Sequence, residues 1–181
     1  ESPGGAIAGL GIHMIDLILL FGGSFNQVYS FVLNDHWKLD VEDNAYAIMK
    51  SSKGIVAMLH SSATQWRHRF HLDINLQKGN IILSGILTGT KSYGAETLTI
   101  ITASPETDNG DPREQTTKFN HDPSWDDEIL YFSNSILNNK QIESGSVDDA
   151  LKTMQLVFKI YFSDSSWSNK FNIPNPDDLH S

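Results

Sequence analysis

The chain has 181 residues, 39% of them apolar and 19% charged, which is enough for a packed core and excludes wholesale disorder. Its 22 Asp and Glu against 13 Lys and Arg give a net charge of −9, which repels phosphate backbones and argues against general nucleic-acid binding. The absence of cysteine excludes a disulfide framework, a thiol nucleophile and a Cys-ligated zinc, and suits a cytoplasmic protein.

No apolar run approaches ~18 residues, so no membrane span is predicted. The longest candidate, Met14 to Phe21, contains Asp16. No basic segment followed by an apolar stretch and a cleavage site marks a signal peptide. Glu1-Ser2-Pro3-Gly4-Gly5 is turn-like, and the first residue is not Met. The expectation is a fragment of something longer.

Ala6 to Phe21 reads as a helix, with Ile7, Leu10, Met14, Leu17 and Phe21 as its apolar stripe and Gly22-Gly23 as its stop. Phe25 to Leu33 reads as a strand and Asn34 to Asp40 as a loop. Ala45 to Lys50 and Ile55 to Thr64 read as strands joined by Ser51-Ser52-Lys53-Gly54. Arg69 to Gln77 alternates: Phe70, Leu72, Ile74 and Leu76 on one face, Arg69, His71, Asp73 and Asn75 on the other. Lys78-Gly79-Asn80 is a turn, and Ile81 to Leu83 and Glu96 to Ile101 are further strands. Ser104 to Asp122, with Pro105 and Asn109-Gly110-Asp111-Pro112, reads as a long polar excursion, a mobile loop or a lid.

Two helices follow. Ser124 and Asp127 form a capping-box pattern ahead of Ile129, Phe132, Ile136 and Leu137. Ser146 and Asp149 repeat it ahead of Leu151, Met154, Val157, Phe158 and Tyr161. From Ser163 the chain is rich in Ser, Asn, Pro and Asp and reads as a surface-hugging arm. Strands grouped between helices predict one α+β domain over 1–181: a mainly antiparallel open sheet with helices packed on one face. The other face, bearing Arg69, His71 and Asp73, is either solvated or a partner surface.

His13 and Asp16 are three residues apart, hence on one helical face, where the carboxylate can orient the imidazole and raise its basicity. Gly9 lies one turn earlier and leaves space beside the ring. A plain alternative is a histidine at a helix–sheet contact, satisfied by Asp16. Gln65-Trp66-Arg67-His68-Arg69-Phe70-His71 mixes aromatics with cations: a surface for a sugar or an anionic sugar nucleotide, or a solvated basic strand end. His68 and His71 point to opposite strand faces and cannot chelate together, so no metal site is predicted. His121-Asp122-Pro123-Ser124-Trp125 stands at a loop-to-helix junction, where His121 and Trp125 either reach a substrate or serve capping and packing.

Gly4-Gly5, Leu10-Gly11-Ile12-His13 and Asp16 resemble, in register, the start of the C-terminal domain of the Gfo/Idh/MocA oxidoreductases, the glucose–fructose oxidoreductase and inositol dehydrogenase group. Val41-Glu42-Asp43-Asn44-Ala45, Gly79-Asn80-Ile81, Trp125 to Ile136 and Ser146 to Ser163 resemble later family segments in the same order, so the resemblance spans about residues 4 to 165. It implies an NAD(P)-dependent enzyme acting on a sugar, sugar-nucleotide or cyclitol hydroxyl. It implies His13 as the catalytic residue, acting with a Lys from a Glu-Lys-Pro motif, and the His121 to Trp125 junction at the substrate; Gly9, Asp16, Trp66 and Arg67 are the further candidate substrate contacts. It also implies an N-terminal dinucleotide-binding domain and a homo-oligomer through the open sheet face. Two departures stand out. The family's Asp four residues before the His is Gly9, and the chain has neither Gly-x-Gly-x-x-Gly after a strand nor Glu-Lys-Pro. The isolated chain is therefore expected to bind no NAD or NADP and to be inactive. The alternative is a non-catalytic binding or oligomerisation module of the same architecture.

Overall fold

The computed structural model describes residues 5–180, so Gly4 of the opening turn lies outside the described residues. The chain divides into two compact units, one formed by 1–64 with 142–181 and the other by 65–141. The α+β class is borne out. The strands, however, form two antiparallel sheets, one of three strands and one of four.

In the first unit, a five-residue π turn, Ile7–Gly11, runs into helix α1, Ile12–Gly22. Gly23 ends it at φ +69, a left-handed position, and its N–H donates to the Leu19 carbonyl at 2.9 Å. Strands β1 (Phe25–Leu33), β2 (Asn44–Ser51) and β3 (Val56–Ser62) follow in the order β1-β2-β3. Their register aligns Tyr29, Ile48 and Met58 in one row across the three strands, and Phe31, Tyr46 and His60 in another. Helix α3, Val147–Ser163, returns to this unit and packs with α1 on the sheet. Ile7, Ile15, Met49, Val157 and Ile160 are almost wholly buried in this core.

The π turn changes the stripe that strict helical spacing suggests. A turn of more than 3.6 residues rotates everything after it. The buried positions become Ile7, Gly11, Ile15 and Ile18, while Leu10 and Phe21 are exposed. In α3 the capping box of Ser146 and Asp149 is present as predicted, but the buried face is Thr153, Leu156, Val157 and Ile160, and Leu151 is exposed. The predicted arm after Ser163 instead begins with helix α4, Ser165–Phe171. Asp164 caps it by accepting the Ser166 and Trp167 N–H groups, and Trp167 is buried. One cap and one aromatic anchor outweigh the polar composition around them.

The second unit is a meander: β4 (His71–Leu76), β5 (Gly79–Ser84), β6 (Glu96–Thr102) and β7 (Arg113–Phe119), in that order. The predicted excursion 104–122 thus contains strand β7. All residues of β7 are exposed, so it has no apolar alternation to betray it; hydrogen bonding to the β6 edge makes it a strand. Helix α2, Ser124–Leu137, closes this unit. Its predicted Ser124 cap is corrected: Pro123 holds the cap position without a side-chain bond, and Asp122 Oδ1 accepts the Ser124 N–H at 3.0 Å. Trp125, Ile129, Phe132 and Ile136 are exposed within the unit.

Candidate functional site

His13 is the second residue of α1, immediately after the π turn that carries Gly9. Single π turns inside α-helices occur frequently at functional sites. The imidazole is exposed, and among the described residues it has no hydrogen-bond or ion-pair partner. Asp16 is exposed too, but its Oδ1 accepts from Thr153 Oγ1 at 3.0 Å, tying α1 to α3. The carboxylate is thus engaged with a neighbouring helix rather than with the imidazole.

The backbone leading to His13 is held from three directions. Glu42 is buried, 4% exposed, at the entrance to β2. Its Oε1 accepts the Ile7 N–H at 2.7 Å and the Tyr161 hydroxyl at 2.8 Å. Its carbonyl accepts the Ala6 N–H at 3.0 Å. The carboxylate therefore satisfies a free N–H at a helix N-terminus, where negative charge is favoured. Tyr161 is pushed well above the ordinary phenol range, first by burial and then by the Glu42 charge and hydrogen bond. On the sheet side, Ser61 Oγ donates to the Ala6 carbonyl at 2.7 Å. A Cβ on Gly11 would stand 2.9 Å from that Oγ, and one on Gly5 would overlap the Glu42 carboxylate. Both glycines are required for close approach.

Asp43 organises the neighbouring loop. It accepts the His36 and Trp37 N–H groups at 2.8 and 3.0 Å and the Asn44 amide at 3.0 Å. Burial by itself would raise its pKa, but the Trp37, Asn44 and His36 donors together hold the carboxyl below the ordinary value of 3.8. Because the folded value is depressed, the stabilisation is complete above 3.8 and disappears as pH falls through the folded value. We expect the 35–40 loop to loosen below pH 3.8, read by Trp37 fluorescence, and Asp43→Asn to flatten that part of the profile. An unchanged profile in the variant would refute the assignment.

Trp66, Arg67, His121 and Trp125 belong to the second unit, and all four are exposed. Gly9, His13 and Asp16 lie together on one helix of the first unit. In the second unit His68 Nδ1 lies 3.1 Å from Ser92 Oγ, and the His68 and Tyr93 rings are 5.0 Å apart. His71 Nδ1 lies 3.0 Å from Ser84 Oγ. Among the described residues no group of three His, Cys, Asp or Glu side chains is placed to hold a metal ion. No helix among them is long and apolar enough to cross a membrane. The Glu42–Tyr161 pair was not singled out from sequence, because the partners are 119 positions apart and only the packing of α3 joins them.

The family model described as the GFO/IDH/MocA C-terminal domain matches residues 1–82. No curated protein matches the chain. Among solved structures, the UDP-N-acetylglucosamine 3-dehydrogenase GnnA from Acidithiobacillus ferrooxidans is similar with a TM-score of 0.72 at 20% identity, over 90% of this chain and 48% of that one. The WlbA dehydrogenase from Bordetella pertussis, in complex with NADH and UDP-GlcNAcA, gives 0.62 at 17% identity, over 90% and 43%. A levoglucosan dehydrogenase, in complex with NADH and levoglucosan, gives 0.69 at 14% identity, over 90% and 49%. The chain spans about half the length of these solved chains, and at such identities the likeness is one of fold. Residues 1–82, a little under half of the chain, are thus similar to the C-terminal domain of the Gfo/Idh/MocA oxidoreductases, and the chain shares its fold with half of these dehydrogenases.

Proposed function

We propose that this chain is the substrate-binding and catalytic half of an NAD(P)-dependent oxidoreductase acting on a sugar, sugar-nucleotide or cyclitol hydroxyl. The observation that carries the reading is His13: it falls inside the family match and, at the end of a pinned π turn, stands exposed with no partner among the described residues. Oxidising an alcohol requires a base for the hydroxyl proton while hydride leaves the same carbon. His13 is that base. NAD or NADP supplies hydride acceptance. The strand pairings described are all antiparallel, so these residues do not build the βαβ cradle a dinucleotide needs. In this reading the cofactor belongs to an N-terminal dinucleotide-binding domain, and the isolated chain is inactive. Gly9, Trp66, Arg67, His121 and Trp125 are assigned to the substrate side, Asp16, bonded to Thr153, to holding α1 against α3, and the whole is placed in the cytoplasm.

The test is an NADH and NADPH fluorescence titration of the complete reading frame, with the 181-residue chain as control. Micromolar binding by the whole and none by the chain is expected. Absence of binding by both would overturn the dehydrogenase reading.

Association through an open sheet face belongs to the same proposal, but the face it would use is not the polar one bearing Arg69, His71 and Asp73, which lies in the second unit. The outward face of β1–β3 exposes Tyr29, Phe31, Ile48, Val56 and Met58, an apolar surface that a second copy can cover. Light scattering showing a strict monomer of the intact protein at high concentration would refute this. Gly9, where the family has Asp, favours a second reading: a non-catalytic module of the same architecture. That reading gains if His13→Ala leaves turnover unchanged.

A further inference from the structure

Successive side chains of β1–β3 point to opposite sides of the sheet. Val32, Ala47, Met49 and Leu59 turn inwards and are buried. Their neighbours turn outwards in four rows set by the register: Gln27 with Lys50 and Val56, Tyr29 with Ile48 and Met58, Phe31 with Tyr46 and His60, Leu33 with Asn44 and Ser62. All of them belong to the first unit. Tyr29 is 74%, Phe31 69% and Met58 76% exposed. The apolar side chains of these rows present on the order of 800 Å² to solvent, the area each partner buries in a standard interface.

Charge selects the occupant of this face. The chain holds 22 Asp and Glu and a net charge of −9, so two copies repel over most of their surface. None of the four rows contains a carboxylate, and Lys50 and His60 are their only basic residues. A two-fold pairing sets a patch on its own copy, so two chains meet here with no carboxylate on either side.

His60 is placed to govern that meeting. Its ring stacks on Tyr46 with centroids 4.3 Å apart and planes 12° from parallel. Among the described residues the imidazole has no hydrogen-bond or ion-pair partner. Few titratable or charged groups share its surroundings. On this face β1 offers Tyr29, β2 offers Tyr46 and Lys50, and β3 offers none besides His60. The loop beyond Leu33 carries Asp35, His36, Lys38 and Asp40. None of these charges acts on the imidazole: burial alone holds it below the ordinary value of 6.5.

We propose that this face is a self-association surface gated by a proton: two copies pair through it while the His60 imidazole is neutral and separate when it is charged. Pairing takes the ring out of water, and the facing copy, bringing the same residues, supplies no counter-ion for an imidazolium. The inference rests on the association read above and adds its control. The sign follows from linkage. The paired state disfavours the charged ring, so affinity is full above the His60 pKa of the free chain and is lost as pH falls through it. Bulk charge acts the other way. Acidification protonates the seven histidines and moves the net charge from −9 towards zero, which weakens repulsion between copies.

Sedimentation equilibrium of the intact protein at about pH 7.5 and about pH 5 separates the two effects. The dimer dissociation constant is expected to rise about ten-fold or more on acidification, since two rings must lose their protons in each pairing. His60→Phe keeps a ring on Tyr46 and carries no charge; its affinity should stay level or strengthen over the same interval. His60→Lys, charged at both values, should be monomeric at both. Tyr29→Asp, one row away, should be monomeric at about pH 7.5. Circular dichroism confirms that each variant is folded. Affinity in the parent that is level or rises on acidification, or a fall of equal size in His60→Phe, would overturn the gate and leave the association standing. A dimer that persists in Tyr29→Asp would place association elsewhere and overturn the inference. A parent that is monomeric at both values would overturn the association and the gate together. None of these outcomes touches the dehydrogenase reading, which the nicotinamide titration tests.

Discussion

Glu42→Ala is expected to destabilise the first unit by about 3 kcal/mol, because hydrogen bonds to a charged group are individually worth about 1.5–3 kcal/mol and removing one partner strands the other. Three groups depend on this residue: the Ile7 N–H at the helix start, the Tyr161 hydroxyl of α3, and the close approach that Gly5 permits. Alanine leaves the buried Ile7 N–H and the half-buried Tyr161 hydroxyl without this acceptor. Glu42→Gln retains an acceptor oxygen and should cost less than half as much. Denaturant midpoints of the three proteins are the measurement. If the alanine variant falls within about 0.5 kcal/mol of the parent, the range of an ordinary surface change, the carboxylate does not anchor the helix. A separate readout is amide hydrogen exchange at Leu10 to His13, which should accelerate in Glu42→Ala before global opening does.

His13→Ala in the intact protein is expected to lower kcat by about 10²–10⁴-fold, the usual contribution of a positioned acid–base group. Asp16→Asn should act differently. Its carboxylate accepts from Thr153 and not from His13, so the expected loss is in stability, with kcat changed far less than in His13→Ala. Steady-state kinetics and melting curves of the pair separate the two roles. Equal kcat losses in both variants would return Asp16 to the imidazole. An unchanged kcat in His13→Ala would favour the non-catalytic reading and the significance of Gly9.

Much of the first unit was legible in the residues. Phe25–Leu33 was read with the boundaries it has, the Ser51–Gly54 hairpin was found, and the Ser146–Asp149 capping box is present. These are local features: period-two alternation, a short turn, an N-cap three residues from its partner. The helix that carries His13 was equally visible, yet its buried face was not. Helical spacing assumes 3.6 residues per turn, and the π turn at Ile7–Gly11 rotates the later stripe onto Ile15 and Ile18.

What depended on partners was missed. Strand β7 carries no apolar pattern and exists because β6 offers it an edge. Helix α4 was concealed by its polar composition and is held by Asp164 and buried Trp167. The apolar outward face of β1–β3 became visible only once helices α1 and α3 had claimed the inward one.

By itself, the sequence determined the α+β class, the helix bearing His13, the resemblance to a family, and the run of aromatics and cations from Gln65 to His71. Each of these is set by residue types at short spacing. Only the tertiary structure decided that Asp16 serves Thr153, that Glu42 and Tyr161 hold the helix start, and that the strands form two sheets. The physical reason is separation along the chain. Hydrogen-bond partners 119 and 137 positions apart are joined by packing, and no local pattern of residues encodes which of them meet.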